Sequence, residues 1–162
     1  MKFTAPMFAL VAIVIALPGR ADAHCQVPCG IYGDQRRFEQ MLEDTQTIAK
    51  AITEVGKIAE GGEMNPQTIN QAVRWVTTKE DHATSIQRVI GDYFMAQRIK
   101  PGTNDEENKA YVKKLTAAHT VMTAAMKAKQ QADPKAAEAL KASILDFYRA
   151  YEGKEPKLDH DD

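Results

Sequence analysis

Apolar residues recur at intervals of three and four positions along most of this chain after residue 33. That spacing places them on one face of an α-helix. Four such stretches are separated by short segments that contain glycine, proline, asparagine or aspartate. No stretch shows the strict alternation of apolar and polar residues that is typical of a half-buried strand. The pattern therefore predicts an all-α protein, an antiparallel up-and-down four-helix bundle over residues 34–152.

The first two predicted helices are separated by Gly61-Gly62. Asp34 is the expected N-cap of the first helix. Asn65 followed by Pro66 marks the start of the second, because proline suits the first helical position. The second helix is expected to stop before Pro101-Gly102. The apolar positions that should face the core in these helices are Phe38, Met41, Leu42, Ile48, Ala49, Ile52, Val55 and Ile58, then Ile69, Ala72, Val73, Val76, Ala83, Ile86, Val89, Ile90, Tyr93 and Phe94.

Two further helices complete the predicted bundle. Thr103 or Asn104 can start the third helix, and Asp133-Pro134 repeats the capping signal for the fourth. Residues 153–162 are mostly charged and are predicted to form a flexible tail. The core positions expected here are Tyr111, Val112, Leu115, Ala118, Val121, Met122, Ala125 and Met126, then Leu140, Ile144, Leu145, Phe147, Tyr148 and Tyr151.

The longest apolar run precedes all four helices. Lys2 supplies a positive charge, Phe8 to Leu17 is almost wholly apolar, and Ala21-Asp22-Ala23 fits the small-x-small cleavage pattern. Residues 1–23 are therefore predicted to be a secretory signal peptide. The exported protein would remain in a periplasm or leave the cell, and His24 would become its first residue.

Size and charge narrow the functional classes. Removal of the signal would leave about 140 residues, which suits one domain. The formal net charge of the whole sequence is −1, which does not favour nucleic acid or an anionic membrane surface as a partner. No later apolar run approaches the ~20 residues of a spanning helix. We expect a soluble mature protein with neither nucleic acid nor a membrane as its partner.

Residues 24–33 carry the most distinctive chemistry. The segment His24-Cys25-Gln26-Val27-Pro28-Cys29-Gly30-Ile31-Tyr32 contains both cysteines of the chain. The His24 amine, the Cys25 amide nitrogen and the Cys25 thiolate can bind one metal through two fused five-membered chelate rings. The Cys29 thiolate can fill the fourth corner, and the His24 imidazole can act as an axial fifth ligand. Such a tetragonal set of nitrogen and sulfur suits nickel(II) or copper(II), whereas zinc prefers a tetrahedron.

Two other interpretations of the cysteines stay open. Exported cysteines commonly pair, so Cys25 and Cys29 could staple a structural bundle. The same residues could also bind nickel or copper without any turnover. A histidine at the predicted cleavage point, with proline and glycine in register, favours the metal over the disulfide.

The motif His-Cys-x-x-Pro-Cys-Gly-x-Tyr resembles the nickel hook of the nickel-dependent superoxide dismutases. Lys79-Glu80 and Asp92-Tyr93-Phe94 resemble further segments of that family, and the helical body is similar in pattern. Gln26 departs from the acidic residue that is usual at its position. The segment between Tyr32 and Glu39 is also one residue shorter than in the family.

The resemblance implies an activity and a cofactor. It implies an enzyme that disproportionates superoxide to oxygen and hydrogen peroxide at one nickel ion per chain, cycling between Ni(II) and Ni(III). It implies that His24, Cys25 and Cys29 are the ligands. It also implies assembly as a homo-oligomer, a hexamer of bundles.

Further residues acquire expected roles from the same resemblance. Tyr32 resembles the tyrosine that guards substrate access, and Tyr93 resembles a second tyrosine near the metal. Glu39 resembles the carboxylate that receives the N–H of the axial imidazole, and the shortened spacing leaves Glu39 and Gln40 both open for that role. His82 stands where some members have an arginine, and no role is assigned to it.

Overall fold

A computed structural model describes residues 33–157 of the chain, and these residues form helices and connections without a strand. Helix α1 spans Asp34–Glu60 and α2 spans Pro66–Arg88, and a π-helical segment, Val89–Arg98, continues α2. Helix α3 spans Asp105–Gln130 and α4 spans Pro134–Glu152. Each helix packs on the next, and α4 returns to α1. The predicted all-α four-helix bundle is confirmed.

The helix ends follow the local sequence, with one exception. Asn65 accepts hydrogen bonds from the backbone N–H groups of the first turn of α2, and Asn104 and Asp133 cap α3 and α4 in the same way. The prediction that Asp34 caps α1 is wrong. Gly33 is the N-cap of α1 and makes no side-chain capping bond, so Asp34 is the first residue inside the helix.

The second predicted helix changes its geometry after Arg88. From Val89 onward the backbone widens into π-helix, and its last N–H, on Ile99, donates to the carbonyl of Phe94 at 2.8 Å, five residues back. The buried residues of this segment come in neighbouring pairs, and the longer turn lets both members of each pair face inward. Those pairs are Val89 with Ile90 and Tyr93 with Phe94.

The core is densest near the start of α1, where aromatic rings from three elements meet. The Phe38 ring lies 4.9 Å from that of Phe94 and 5.2 Å from that of Phe147. Tyr148 and Tyr151 complete the cluster at 4.9 and 6.0 Å from Phe38. Tilted and edge-on ring contacts of this kind add to the burial of apolar area. The cluster fills the core at the end of the bundle beside Gly33 and joins α1, the π-helical segment and α4.

Lys79 marks where α2 passes the end of α3. Its buried ammonium donates to the carbonyl of Ala128 at 2.7 Å and also to the carbonyl of Lys129. Both acceptors lie in the last turn of α3, where a positive charge is favourable. Burial lowers the pKa of the Lys79 amine. The residues of α2 before Lys79 therefore extend beyond the end of α3.

That extension explains the wrongly predicted core positions of α2. No residue from Thr53 to Thr78 is buried, and we call residues 53–78 the hairpin end. With neither α3 nor α4 beside it, its apolar stripe lies open. Two positions on α3 also face outward. The exposed residues that the pattern placed in the core are Ile69, Val73 and Val76 in the hairpin end, and Val112 and Met126 on α3.

Among residues 33–157, no helix combines the length and the apolar character that a membrane crossing requires.

Candidate metal centre and its supporting residues

The predicted site residues divide between two parts of the chain. His24, Cys25, Cys29 and Tyr32 lie outside residues 33–157, so their predicted roles stay predictions. Tyr93 and Glu39 lie inside, and both are found near the end of the bundle where residue 33 enters α1. Within the part of the chain that the structure describes, no group of three or more His, Cys, Asp and Glu side chains could hold a metal ion.

Asp34 occupies the centre of the bundle end that the predicted hook would join. The Tyr93 hydroxyl donates to its Oδ1 at 2.6 Å. The Tyr151 hydroxyl donates to its Oδ2 at 2.8 Å, and Arg98 donates to the same oxygen at 2.7 Å. One carboxylate thus ties the first residue of α1 to the π-helical segment and to the last turn of α4.

The charges of this cluster reinforce one another. Burial by itself would raise the pKa of the Asp34 carboxyl, but hydrogen bonds from Arg98, Tyr93 and Tyr151 outweigh it and hold that pKa below its usual value. Burial, followed by the bond to Asp34, raises the pKa of Tyr151 to about 12 and also raises the pKa of Tyr93. At neutral pH the carboxylate is ionised and both phenols keep their protons.

Tyr93 combines core packing with a polar tip. Only 8 % of the residue is exposed, and its ring meets that of Phe94 edge-on at 5.1 Å. The guanidinium groups of Arg37 and Arg98 lie 5.2 and 5.9 Å from the centre of the Tyr93 ring. These contacts hold the phenol in one orientation, with its hydroxyl on Asp34.

Glu39 and Gln40 are both half-buried on α1, and each has a partner on its own helix. Gln35 donates to Glu39 Oε1 at 3.0 Å, and Arg37 donates to Gln40 Oε1 at 2.9 Å. The same Gln35 side chain accepts from the Tyr148 hydroxyl at 3.1 Å and donates to the carbonyl of Lys157 at 3.0 Å. The first turn of α1 is therefore braced against α4 and the residues after it.

The structure also pairs His82 with a residue that the sequence did not single out. His82 Nδ1 lies 2.6 Å from Oδ1 of Asp44 across the contact between α2 and α1. Asp44 is buried, and its Oδ2 has no hydrogen-bond partner among residues 33–157. The two residues stand 38 positions apart, so no local motif could have revealed the pair.

Together, the fold and the sequence of the N-terminal segment define a class of protein, a helical bundle preceded by a compact set of nitrogen and sulfur ligands. A family model described as nickel-containing superoxide dismutase matches residues 19–155, which is most of the chain. The chain belongs to that family. Curated proteins give no match to this chain, and solved structures give none either.

Membership fixes the activity and the cofactor. The protein is an oxidoreductase that acts on superoxide, and it uses nickel. The matched range begins before His24 and ends after Tyr151, so it includes the two cysteines as well as the whole bundle. The two alternatives without turnover, a passive metal-binding bundle and a disulfide-stapled bundle, are not favoured.

Proposed function

We propose that the nickel ion of this superoxide dismutase is bound by His24, Cys25 and Cys29 after cleavage behind Ala23. The observation that carries the assignment is that the family match includes the only two thiols of the chain, and these directly follow the histidine at the predicted new N-terminus. An amine, an amide nitrogen and two thiolates are a donor set that suits nickel in a tetragonal plane. The His24 imidazole would add a further nitrogen donor.

The proposed ligands would place negative charge beside the metal, and a tyrosine hydroxyl would order a water that carries protons. When bound, nickel supplies one-electron redox chemistry, by which one superoxide is oxidised to oxygen and a second is reduced, with two protons, to hydrogen peroxide. The two thiolates of Cys25 and Cys29 and the deprotonated amide nitrogen of Cys25 would place negative charge beside the metal and would thereby favour its higher oxidation state. Tyr32 stands three positions after Cys29, and we assign its hydroxyl to guarding substrate access and ordering a proton-bearing water.

We assign the support of the axial imidazole to Glu39. Gln35 already donates to one oxygen of this carboxylate. A carboxylate has about four acceptor positions, so one donor leaves capacity for an imidazole N–H. An acceptor on the second ring nitrogen would fix the orientation of the ligand. Gln40 is the weaker candidate, because its amide oxygen is uncharged and accepts from Arg37.

We further propose that the protein is a homo-oligomer, with the hexamer of the family as the expected state. The hairpin end supports an interface on this part of the bundle. Ile69, Val73 and Val76 recur at helical spacing on α2, and they are 46, 59 and 39 % exposed. A contiguous apolar face of this kind commonly marks a protein–protein contact. Export through the cleaved signal, to a periplasm or the cell exterior, completes the proposal.

The ligand assignment is tested by substituting each sulfur. Cys25→Ser and Cys29→Ser should each abolish nickel binding and superoxide decay while the far-ultraviolet circular dichroism stays helical, because neither residue belongs to the bundle. Metal analysis and pulse radiolysis of the mature protein measure both effects. Insertion of one alanine between Ala23 and His24 is the matched test of the amine. Full nickel content and full activity in the inserted variant, cut at the original position, would refute the amine as a ligand.

A further inference from the structure

Asp34 brings together elements that are far apart in sequence, at the point where the N-terminal segment enters the bundle. Its three side-chain donors lie 59, 64 and 117 residues away along the chain. Its side chain is only 14 % exposed. One residue, Gly33, lies between Tyr32 and Asp34 in sequence, and four residues lie between Cys29 and Asp34.

The strength of this arrangement comes from charge. Each of the three hydrogen bonds is made to an ionised carboxylate, and such bonds are roughly twice as strong as those between neutral groups. The position is favourable as well, because an acidic side chain in the first turn of a helix interacts with the positive end of the helix dipole. Asp34 consequently fixes the direction in which the preceding residues join α1, because its carboxylate accepts hydrogen bonds from three side chains.

We propose that Asp34 is a positioning residue for the nickel chemistry. It fixes the point at which the N-terminal segment joins α1, and it fixes the orientation of the Tyr93 phenol. The inference rests on the proposed ligand assignment. It gives Asp34 a role of its own, since the residue is not one of the proposed ligands and its carboxylate is held by Tyr93, Arg98 and Tyr151. Metal geometry and rate depend on Asp34 through the segment it anchors.

The arrangement also restricts what Tyr93 can do. Its hydroxyl proton is committed to a charged acceptor at 2.6 Å, and burial together with that bond raises the pKa of the phenol. Donating that proton to peroxide would break the bond to Asp34. We therefore assign Tyr93 a fixed orientation beside Asp34 and not the role of proton donor to peroxide.

The experiment compares the mature wild-type protein with Asp34→Asn, which keeps the shape of the side chain and removes its charge. Asp146→Asn is the matched control, because Asp146 also pairs with an arginine, Arg149, but is 74 % exposed on α4. Nickel content, the circular dichroism of the nickel–thiolate bands and the rate of superoxide decay are measured on loaded protein. The titration of the individual tyrosines is followed by NMR of nickel-free protein labelled at the tyrosine ring carbons.

Asp34→Asn should keep its helical content and about one nickel per chain. Its nickel–thiolate bands should change shape, superoxide decay should slow by about three- to tenfold, since small misplacements of reacting groups are costly in rate, and Tyr93 and Tyr151 should titrate at lower pH. Asp146→Asn should match wild type in every measurement. Unchanged bands and an unchanged rate in Asp34→Asn would overturn the proposal.

A second variant keeps the test decisive if Asp34→Asn does not fold. Tyr151→Phe removes one of the donors to Asp34 and retains the apolar ring. It should slow superoxide decay by about twofold and alter the same bands, and wild-type behaviour here would also count against the proposal. Wild-type protein that lacks nickel would instead refute the ligand assignment itself.

Discussion

The observed role of Asp34 differs from the one that its local sequence predicts. An aspartate before an amphipathic stretch is the usual signal for an N-cap, and the local pattern predicted that role. The chain instead places Gly33 at the cap and turns Asp34 toward Tyr93, Arg98 and Tyr151. Those partners become neighbours only when the bundle closes, so no local pattern contains them. By contrast, Tyr93 was correctly predicted to lie on the apolar stripe of its helix, and its role near the metal stays a prediction.

Acid stability gives a test at the residue scale. The folded pKa of Asp34 lies below its usual value, so its stabilising effect is present above the ordinary pKa of about 3.9 and is lost as the pH falls through the lower folded value. The wild-type free energy of unfolding should therefore decline more steeply than that of Asp34→Asn between about pH 4.5 and 2.5. Urea titrations of the nickel-free proteins measure both curves.

Loss of the carboxylate has a separate cost at neutral pH. Hydrogen bonds to a charged group contribute about 1.5–3 kcal/mol each, and partial exposure lowers the net value. We expect Asp34→Asn to be about 1–3 kcal/mol less stable than wild type at pH 7. If the unfolding free energies of wild type and Asp34→Asn fell in parallel as the pH decreased, Asp34 would not be responsible for the loss of stability in acid.

At the scale of elements, the glycine, proline, asparagine and aspartate residues between helices predicted the helix ends well. They did not predict the change from α-helix to π-helix. Gly61-Gly62, Asn65-Pro66 and Asp133-Pro134 end or start helices where predicted. The π-helical segment was not predicted, because the neighbouring apolar pairs at 89–90 and 93–94 also fit the wide stripe of an ordinary helix. Only Gly91 within the segment hinted at weak α-helical preference.

The connection before α3 contains a glycine that the packing requires. A Cβ atom on Gly102 would collide with the backbone and Cβ of Glu107 and with the backbone nitrogen of Asn108. Gly102→Ala should therefore cost about 1–3 kcal/mol of unfolding free energy, as overpacking does elsewhere. Thermal and urea unfolding measure the loss.

Gly56→Ala is the matched control for that substitution. Gly56 lies inside α1, and a Cβ there would meet nothing within 4 Å. Because alanine is a better helix former than glycine, this variant should gain about 0.5–1 kcal/mol. Equal effects of the two substitutions, in either direction, would contradict the close approach at Gly102.

At the scale of the molecule, helical periodicity was sufficient to predict the bundle but not the relative lengths of its helices. The stripe on α2 was assigned to the core along its whole length, yet α3 and α4 are too short to cover its first half. Periodicity identifies a face that avoids water and does not say which partner covers it. The predicted core and the observed core differ most in the hairpin end, and they also differ at Val112 and Met126 on α3.

Self-association through the hairpin end has a direct test. Val73→Lys should reduce the molar mass measured by light scattering, whereas Val112→Lys should not, although Val73 and Val112 are equally exposed at 59 and 57 %. Trp75, the only tryptophan of the chain, lies half-buried two positions from Val73. Its fluorescence should shift to longer wavelength when the wild-type oligomer is diluted. An unchanged mass in Val73→Lys would remove the hairpin end from the interface.

The contact between Gln35 and Lys157 has a practical consequence for anyone purifying the protein. A polyhistidine tag placed after Asp162 would begin a few residues from the first turn of α1, where its imidazoles could compete for nickel. A tag ahead of His24 would block the proposed amine ligand. The loop at Gly61-Gly62 lies at the other end of α1, about 40 Å away at 1.5 Å per residue, but it belongs to the proposed interface. An affinity handle that contains no histidine, placed after Asp162, therefore keeps the nickel analysis interpretable and leaves both the proposed amine ligand and the hairpin end unchanged.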